Sequence, residues 1–265
     1  MTRSAPLAFI TGASSGIGQA MALAYLKKGW RVALVARRVE AMTDWVQAIA
    51  ATVPVKDNHV GLFSANVLDE DSILSAAQAC MRQMGLPDVV VANAGISLGV
   101  DTAKREDLAV MREVMGTNLL GMAATFQPFI VPMQARGSGT LVGIASVAGI
   151  RGLPGHAAYC ASKAGVISYC ESLRGELQAS GLKVVTLAPG YVATPLTRRN
   201  RYPMPFLMTA EAFANQALPC IARGTAFRVI PWPMGLVARV LRLLPTALFD
   251  RAFKSTPRKH RHTEE

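Results

Sequence analysis

Residues 11–18 read TGASSGIG, and this stretch decides the fold. It follows a short apolar run and precedes a segment whose apolar residues have helical spacing. In that setting Gly12 permits a tight turn, Gly16 lets the backbone approach a pyrophosphate, and Gly18 allows the helix to pack closely on the strand. The N–H groups at the start of the helix would then face the phosphates. The stretch therefore predicts dinucleotide binding, with an ordinary turn as the alternative.

Strands and helices alternate along the rest of the chain. Short apolar runs predict strands at Leu7–Ile10, Arg31–Ala36, His59–Ser64, Asp88–Ala92, Gly139–Ile144, Lys183–Ala188 and Phe227–Ile230. Helical spacing predicts helices at Ile17–Lys28, Val39–Ala51, Asp69–Met84, Tyr159–Ser180 and Thr209–Arg223, and one helix or two around Pro128 at Lys104–Gln134. This order favours an α/β fold, a Rossmann-type doubly wound parallel sheet in three α/β/α layers. We predict residues 1–230 to be one dinucleotide-binding and catalytic domain.

The residues after the second predicted strand indicate which nicotinamide cofactor is bound. An acidic residue there would bind the ribose hydroxyl of NAD, whereas an arginine accommodates the 2′-phosphate of NADP. The strand is followed by Arg37 and Arg38, with no acid before Glu40. We predict NADP (NADPH) as the cofactor, held by these arginines, with NAD less favoured. The alternative for the pair is an ordinary solvated start of a helix.

Four polar residues predict acid–base chemistry. Tyr159 and Lys163 have the spacing that puts two side chains on one face of a helix, and a nearby ammonium favours the phenolate of a tyrosine. Ser146 closes a strand at the sheet edge where ligands bind, and its hydroxyl can donate to a substrate carbonyl. Asn118 lies in a helical run where asparagine is unfavourable, so a functional role is suspected. Alone, Ser146 could merely cap the strand end and Asn118 could be a satisfied buried amide.

Taken together, these residues resemble the short-chain dehydrogenase/reductase family in its single-domain branch. The resemblance covers about residues 5 to 230. The motifs that carry it are T-G-x-x-x-G-I-G at 11–18, Asn93-Ala94-Gly95, Asn118, Ser146, Y-x-x-x-K at Tyr159–Lys163, and Pro189-Gly190 followed by Thr194.

The resemblance implies a role for each site residue. Tyr159 would donate and accept the proton, and Lys163 would hold the nicotinamide ribose and lower the tyrosine pKa. Ser146 would orient the carbonyl, and Asn118 would support a water of the proton relay. Asn66-Val67 stands where the family often has an aspartate beside the adenine, and the amide keeps that contact. The implied cofactor contacts are Gly12, Ser14, Ser15, Gly16, Ile17, Gly18, Arg37, Arg38, Asn66, Val67, Asn93, Ala94, Gly95, Tyr159, Lys163, Pro189, Gly190, Val192 and Thr194; no metal site is predicted.

The chain departs from the family at its C-terminus, where residues 231–265 form a basic extension of the same domain. Two amphipathic helices are predicted, at Met234–Leu244 and Pro245–Lys254. Their apolar face consists of Trp232, Leu236, Val237, Val240, Leu241, Leu244 and Leu248. Arginines surround this face, so it could contact an anionic membrane. It could equally cover the substrate pocket or a partner chain, and the sequence leaves these three roles open.

Composition limits the partners and the compartment. The net charge of +11 attracts anions in general, but no nucleic-acid-binding motif accompanies it, so we expect no nucleic acid as partner. The four cysteines form no C-x-x-C pair and are expected to be buried, reduced thiols. The N-terminus lacks the long apolar region of a signal peptide. We expect a cytoplasmic homodimer or homotetramer, with peripheral contact at the inner face of a membrane through the extension.

The predicted function is hydride transfer between NADP(H) and a carbonyl or secondary alcohol. The expected substrate is a hydrophobic or lipid-like small molecule, because the segments Ile96–Val100, Val147–His156 and Tyr191–Met208 are largely apolar. His156 is interpreted as a pocket-rim or capping residue. Arg198, Arg199 and Arg201 would either meet an anionic group or belong to a solvated lid. The alternatives are an epimerase or dehydratase on the same fold, and a non-catalytic cofactor-sensing protein.

Overall fold

Strands and helices alternate in the computed structural model, which describes residues 4–51, 53, 58–198, 200 and 203–254. The strands are β1 (Leu7–Thr11), β2 (Arg31–Ala36), β3 (Val60–Ser64), β4 (Val89–Ala92), β5 (Gly139–Ile144), β6 (Leu182–Pro189), β7 (Val192–Ala193), β8 (Met208–Thr209) and β9 (Phe227–Ile230). The helices are α1 (Gly16–Leu26), α2 (Val39–Ala50), α3 (Glu70–Met84), α4 (Asp107–Met115), α5 (Gly121–Arg136), α6 (Ala157–Glu176), α7 (Ala210–Arg223), α8 (Trp232–Leu243) and α9 (Thr246–Phe253).

Seven strands form one parallel sheet in the order β3-β2-β1-β4-β5-β6-β9. Alternate residues of β1 serve the two faces of this sheet: Ala8 and Ile10 join a core with α1, α2 and α7, and Leu7 and Phe9 join a core with α3, α5 and α6. The predicted doubly wound sheet with helices on both faces is therefore confirmed. The chain leaves β1 toward β2 on one side and returns to β4 on the other, so a crevice lies at their carboxyl ends.

The segment predicted as a helix at Lys104–Gln134 breaks at a different place. A π-helical turn, Gly116–Leu120, joins α4 to α5, and Pro128 lies inside α5. Phe126 and Phe129 are completely buried in the core under this helix. Burying such side chains contributes about 1.5–3 kcal/mol each, which offsets the cost of about 3 kcal/mol for a proline inside a helix. The alternative of two helices separated at Pro128 was therefore wrong, whereas one long helical run is present at Asp107–Arg136, with the π-helical turn inside it.

Smaller differences concern the ends of elements and one unpredicted pair. α6 begins at Ala157, before the predicted start, and a 3-10 turn, Gln178–Ser180, replaces its predicted last residues. The short strands β7 and β8 pair in parallel outside the main sheet. The run Asp107–Arg136 is long and apolar enough to cross a membrane by length and composition, but part of it is buried as in a core helix. The four cysteines are buried and unpaired, as predicted.

The C-terminal extension forms α8 and α9, which follow β9 directly. Its predicted single apolar face is divided in two, because α8 is apolar on most of its circumference. Met234 and Ala238 are buried, and Leu241 and Leu244 are half-buried. The exposed apolar residues on the other side are Trp232, Leu236, Val237, Val240 and Leu243, joined by Leu248 of α9. The remaining basic residues of the tail, Arg258, Lys259 and Arg261, lie outside the described residues.

Candidate active site

A cavity of about 310 Å³ lies at the carboxyl ends of the parallel strands, where the topology predicts a ligand. The predicted site residues that line it are Gly12, Ser14, Ser15, Gly16, Ile17, Arg37, Arg38, Asn66, Val67, Asn93, Ala94, Gly95, Ser146, Tyr159, Lys163, Pro189, Gly190, Val192 and Thr194. Two other predicted residues, Gly18 and Asn118, do not line it. The cavity therefore collects residues from most of the chain, and their individual roles stay predictions.

The glycine-rich turn forms one wall of the cavity from backbone atoms. Gly12 and Gly16 have φ values of +65° and +58°, a conformation that residues with a Cβ rarely adopt. Ser15 precedes α1, and no side chain accepts a hydrogen bond from the first turn of this helix at that position. The first turn of α1 also carries no acidic residue. Its N–H groups and the positive end of the helix dipole are thus suited to an anionic phosphate.

Gly18 supports this wall from behind. A Cβ at Gly18 would overlap the carbonyl oxygen of Gly12 and come within 2.9 Å of the Asn93 side-chain amide. That amide donates to the carbonyl oxygens of Thr11, at 3.0 Å, and Gly12, at 3.3 Å. Gly18 does not line the cavity, and helix and strand approach each other closely there as the motif predicts; a contact of Gly18 with the cofactor stays a prediction. Asn93 joins the ends of β1 and β4.

Two arginines lie just beyond β2, beside the glycine-rich turn. Arg37 and Arg38 are both exposed, and an Nη of Arg38 lies 3.5 Å from the Ser14 hydroxyl. The Asn66 side chain accepts a hydrogen bond from the N–H of Leu68 at 3.2 Å, which orders the turn after β3. The two guanidinium groups make this end of the cavity electropositive and leave donors for a phosphate.

Ser146 and Tyr159 meet at the inner end of the cavity. Ser146 is buried two residues beyond β5, where it accepts the N–H of Ala148 at 3.2 Å and caps a 3-10 turn, Val147–Gly149. Its hydroxyl also forms a hydrogen bond with the Tyr159 side chain. Burial raises the pKa of this phenol above its ordinary value, and the hydrogen bond from Ser146 acts in the opposite direction.

Lys163 lies one helical turn below Tyr159 and is buried. Its Nζ donates to the carbonyl oxygen of Ile144 at 2.8 Å and lies 5.9 Å from the centre of the Tyr159 ring. Burial lowers the pKa of Lys163 to about 8. Burial is thus the largest influence on the Tyr159 pKa in this structure, and the lowering of that pKa by Lys163 stays a prediction.

Asn118 lies in the π-helical turn and is completely buried. Its Oδ1 accepts the N–H of Ile96 at 2.8 Å, and its Nδ2 donates to the Ile96 carbonyl oxygen and to the Ser162 hydroxyl, both at 2.9 Å. The side chain thus fixes the loop after β4 and the base of α6. Its side chain is a satisfied buried amide with a positioning role, and the predicted water relay stays a prediction.

Several residues that shape the cavity were not singled out from the sequence, although some of them belong to the segments 96–100 and 191–208 predicted to line the substrate pocket. Thr197 lines it, accepts the N–H of Thr194 at 3.1 Å and donates to the Val192 carbonyl oxygen at 2.6 Å, which ties the turn after β7 together. Ile96, Leu68, Glu113, Thr117, Pro195 and Leu196 line it as well. A threonine three residues after another threonine is too common a pattern to have predicted this contact.

Two of the remaining predicted residues, His156 and Arg198, do not line this cavity. His156 occupies the N-cap position of α6 without a side-chain cap, and its Nδ1 lies 3.0 Å from the Pro154 carbonyl oxygen. Arg198 is exposed and lines a second cavity beside the first. Arg199 and Arg201 lie outside the described residues.

Comparisons with known proteins agree with this geometry. The family model described as short chain dehydrogenase matches residues 6–204. An uncharacterized oxidoreductase from Myxococcus xanthus is 40% identical over 249 residues, which cover 92% of this chain and 95% of that protein. A 3-oxoacyl-(acyl-carrier-protein) reductase from Staphylococcus aureus is 34% identical over 203 residues, covering 74% of this chain and 77% of that protein. A solved structure of an actinorhodin polyketide ketoreductase variant with NADPH matches with a TM-score of 0.77 and 27% identity, covering 86% of this chain and 97% of that chain.

Proposed function

Because this chain belongs to the short-chain dehydrogenase/reductase family of oxidoreductases, we propose that it transfers a hydride between NADP(H) and a carbonyl or secondary alcohol. The observation that carries the proposal is the hydrogen-bonded pair of Ser146 and Tyr159, with Lys163 beneath it, at one end of a cavity whose other wall is a dinucleotide-type turn. General acid–base groups beside a dinucleotide site are what reversible carbonyl reduction requires.

The residues of the cavity fit a nicotinamide dinucleotide phosphate. The turn carries no side chain of its own at Gly12 and Gly16, and the pyrophosphate would lie against its backbone at the start of α1. The exposed Arg37 and Arg38 would bind the 2′-phosphate of NADP, for which NAD offers only a hydroxyl. Val192 and Thr194 would bracket the nicotinamide end. The NADPH named with the related ketoreductase structure agrees with this choice of cofactor.

Each catalytic side chain then has one task. The bound nicotinamide supplies the hydride in reduction and accepts it in oxidation. Ser146 would orient the carbonyl oxygen toward Tyr159, and the phenol would pass its proton to that oxygen. Lys163 would bind the nicotinamide ribose, and its positive charge would favour the phenolate left behind. Asn118 would hold the loop at Ile96 in place from behind.

We propose a hydrophobic or lipid-like carbonyl compound as the substrate. The loop between β7 and β8 carries three exposed apolar side chains, Leu196, Phe206 and Leu207. Leu196 also lines the cavity. A substrate that covers such side chains gains about 25 cal/mol for each Å² of apolar surface removed from water. Two of the three proteins named above are a reductase of an oxoacyl group and a polyketide ketoreductase, which act on carbonyl compounds.

The test is NADPH oxidation across a panel of aldehydes and ketones of increasing chain length. We expect turnover with long-chain members, and a loss of about 100- to 10,000-fold in kcat for Tyr159→Phe with cofactor binding retained. Tyr169→Phe is the matched control, because Tyr169 lies on the same helix but stacks on Phe126 in the core. Cofactor binding without oxidation of NADPH by any carbonyl would favour the cofactor-sensing alternative.

We also propose that the enzyme works in the cytoplasm as a homodimer or homotetramer and contacts anionic membranes through the outer side of α8. The apolar residues there include Trp232 at 63% and Leu243 at 83% exposure. The described charges of α8 and α9 are Arg239, Arg242, Arg251 and Lys254 against Asp250. Such a helix lies in the headgroup region with its apolar side down and its arginines near acidic lipid.

The positive charge beside this surface favours an anionic membrane over a second copy of the chain as its binding partner. A second copy would bring its own Arg239 and Arg242 toward the same basic surface, whereas phosphatidylserine neutralises them. Co-sedimentation should require vesicles with phosphatidylserine and should weaken roughly 10-fold or more in Leu243→Ser. Val131→Ser removes another exposed apolar residue, from α5, and should bind like the wild type. Equal binding to phosphatidylcholine alone, or a dimer lost in Leu243→Ser, would contradict the proposal.

A further inference from the structure

One arginine joins the C-terminal extension to the loop that carries Ser146. Arg151 lies just beyond the 3-10 turn capped by Ser146, and α8 packs against that turn. One Nη of Arg151 donates to the carbonyl oxygens of three residues at the end of α8: Leu241, Arg242 at 3.3 Å and Leu244 at 2.6 Å. Carbonyls at a helix C-terminus have no partner within the helix and form its negative end, so a cation is well suited to them.

The same guanidinium also contacts α9. Its Cζ lies 4.0 Å from the centre of the Phe249 ring. Phe249 is buried, and its ring stacks on Phe253 with centroids 4.5 Å apart. Arg151 therefore holds both helices of the extension through one side chain, by hydrogen bonds to α8 and a cation–π contact to α9.

The extension has a second attachment on the other wall of the cavity. A Cβ at Gly190 would come within 2.9 Å of the Met234 side chain, so α8 packs directly on the backbone of the turn after β6. Gly190 lines the cavity, and its N–H donates to the Ile230 carbonyl oxygen at 2.8 Å. The extension thus touches the two turns that flank the Ser146–Tyr159 end of the site.

We infer that Arg151 is a positioning residue that holds α8 and α9 as the outer wall of the substrate site, so that long hydrophobic carbonyl substrates contact the extension. The inference rests on the proposed function. It assigns the two helices to substrate selection, because α8 packs on the turn at Gly190 and on the 3-10 turn capped by Ser146, which flank the Ser146–Tyr159 end of the site. Substrates too short to reach beyond Ser146 gain nothing from this wall.

The test compares Arg151→Met with Arg136→Met. Arg136 is a matched control, because it also donates to three backbone carbonyl oxygens, those of Leu86, Pro87 and Ser138, but at the amino end of the sheet. In Arg151→Met we expect KM to rise about 10-fold for a long-chain ketone and to stay unchanged for a short one, with kcat nearly constant. Arg136→Met should leave both KM values unchanged, and Arg151→Lys should restore part of the affinity because it keeps a donor.

Hydrogen exchange provides a measurement that does not depend on turnover. Amides of α8 and α9 should exchange faster in Arg151→Met than in Arg136→Met, while α1 stays protected in both. Unchanged exchange in α8 and α9, or a KM that rises equally for short and long ketones, would overturn the inference. If Arg151→Met does not fold, the same comparison applies to Arg151→Lys. Faster hydrogen exchange of α8 and α9 in Arg151→Met, together with no reduction of any carbonyl by the wild type, would refute the proposed function. It would support only the attachment of the two helices by Arg151.

Discussion

The two ends of the active-site cavity differ in the atoms that form them, which are mainly backbone atoms at one end and side chains at the other. The proposed cofactor end is formed mainly by the backbone of the glycine-rich turn, which the half-buried amide of Asn93 holds in place, with the exposed Arg37 and Arg38 beside it. The proposed substrate end consists of exposed side chains on loops and, by the inference above, of the C-terminal extension attached through Arg151. Close-packed backbone tolerates no added atom, so the cofactor end should accept only a narrow range of ligands. At the substrate end, side chains can be replaced and the chain should still fold.

The largest effect should come from an added methyl group at the cofactor end. In Gly18→Ala the new Cβ overlaps the Gly12 carbonyl, so strand and helix must separate. We expect a loss of about 3 kcal/mol or more in the free energy of unfolding and about 100-fold weaker NADPH binding. Gly175→Ala is the control, because a Cβ there meets no atom within 4 Å. Similar behaviour of the two variants would mean that the turn is not packed as described.

Arg37 tests how the cofactor end selects its ligand. Removing one charge-assisted contact to a phosphate costs about 1.5–3 kcal/mol, so Arg37→Ala should bind NADPH roughly 10- to 100-fold more weakly. Affinity for NADH should stay almost the same. Arg174→Ala, another exposed arginine, on α6, controls for the change in net charge. A wild type that binds both cofactors equally would contradict the assignment of Arg37 and Arg38.

The pH dependence of the free energy of unfolding tests the burial of Lys163. This lysine lies where the two ends of the cavity meet. Its folded pKa of about 8 lies below the unfolded value of about 10.4, so the unfolded chain binds the extra proton between these values. Stability should therefore rise with pH across this window, by about 1–3 kcal/mol relative to Lys163→Met. Lys183→Met, at an exposed site, should follow the wild type. A wild type and a Lys163→Met variant with parallel curves would show that the lysine is not desolvated.

The smallest change in the free energy of unfolding is expected for a substitution at the substrate end. Phe206 is 51% exposed and has a φ of +57°, a left-handed conformation unusual for a residue with a side chain. Phe206→Gly should change the free energy of unfolding by no more than about 0.5 kcal/mol. KM should rise a few-fold for long hydrophobic ketones only, since an apolar contact is lost. A large loss of stability would show that this loop is as tightly packed as the glycine-rich turn.

The same contrast explains what could be predicted from the sequence. Glycines with special backbone roles, an arginine pair after β2 and the Tyr159–Lys163 spacing leave local signatures, and all of these residues except Gly18 line the cavity. The π-helical turn that carries Asn118 was not predicted from the sequence. Pro128 suggested a break that the structure does not have, because burial of Phe126 and Phe129 stabilises the helix around it.

The substrate end depends on contacts between distant parts of the chain. Arg151 meets residues about 90 positions away, and nothing near it in the sequence indicates that partner. The division of the apolar residues of α8 into a buried and an exposed side also depends on where β9 and the turn at Gly190 lie. Sequence spacing alone could locate that helix but not orient it.

The measurement that tests the central claim most directly follows the hydride itself. NADPH deuterated at the hydride-donating carbon is incubated with a long-chain ketone and the enzyme, and the alcohol is analysed by mass spectrometry. We expect one deuterium on the carbinol carbon with the wild type and with Tyr169→Phe, and almost none with Tyr159→Phe although it still binds NADPH. Alcohol without deuterium, or full transfer by Tyr159→Phe, would contradict hydride transfer assisted by the Ser146–Tyr159 pair.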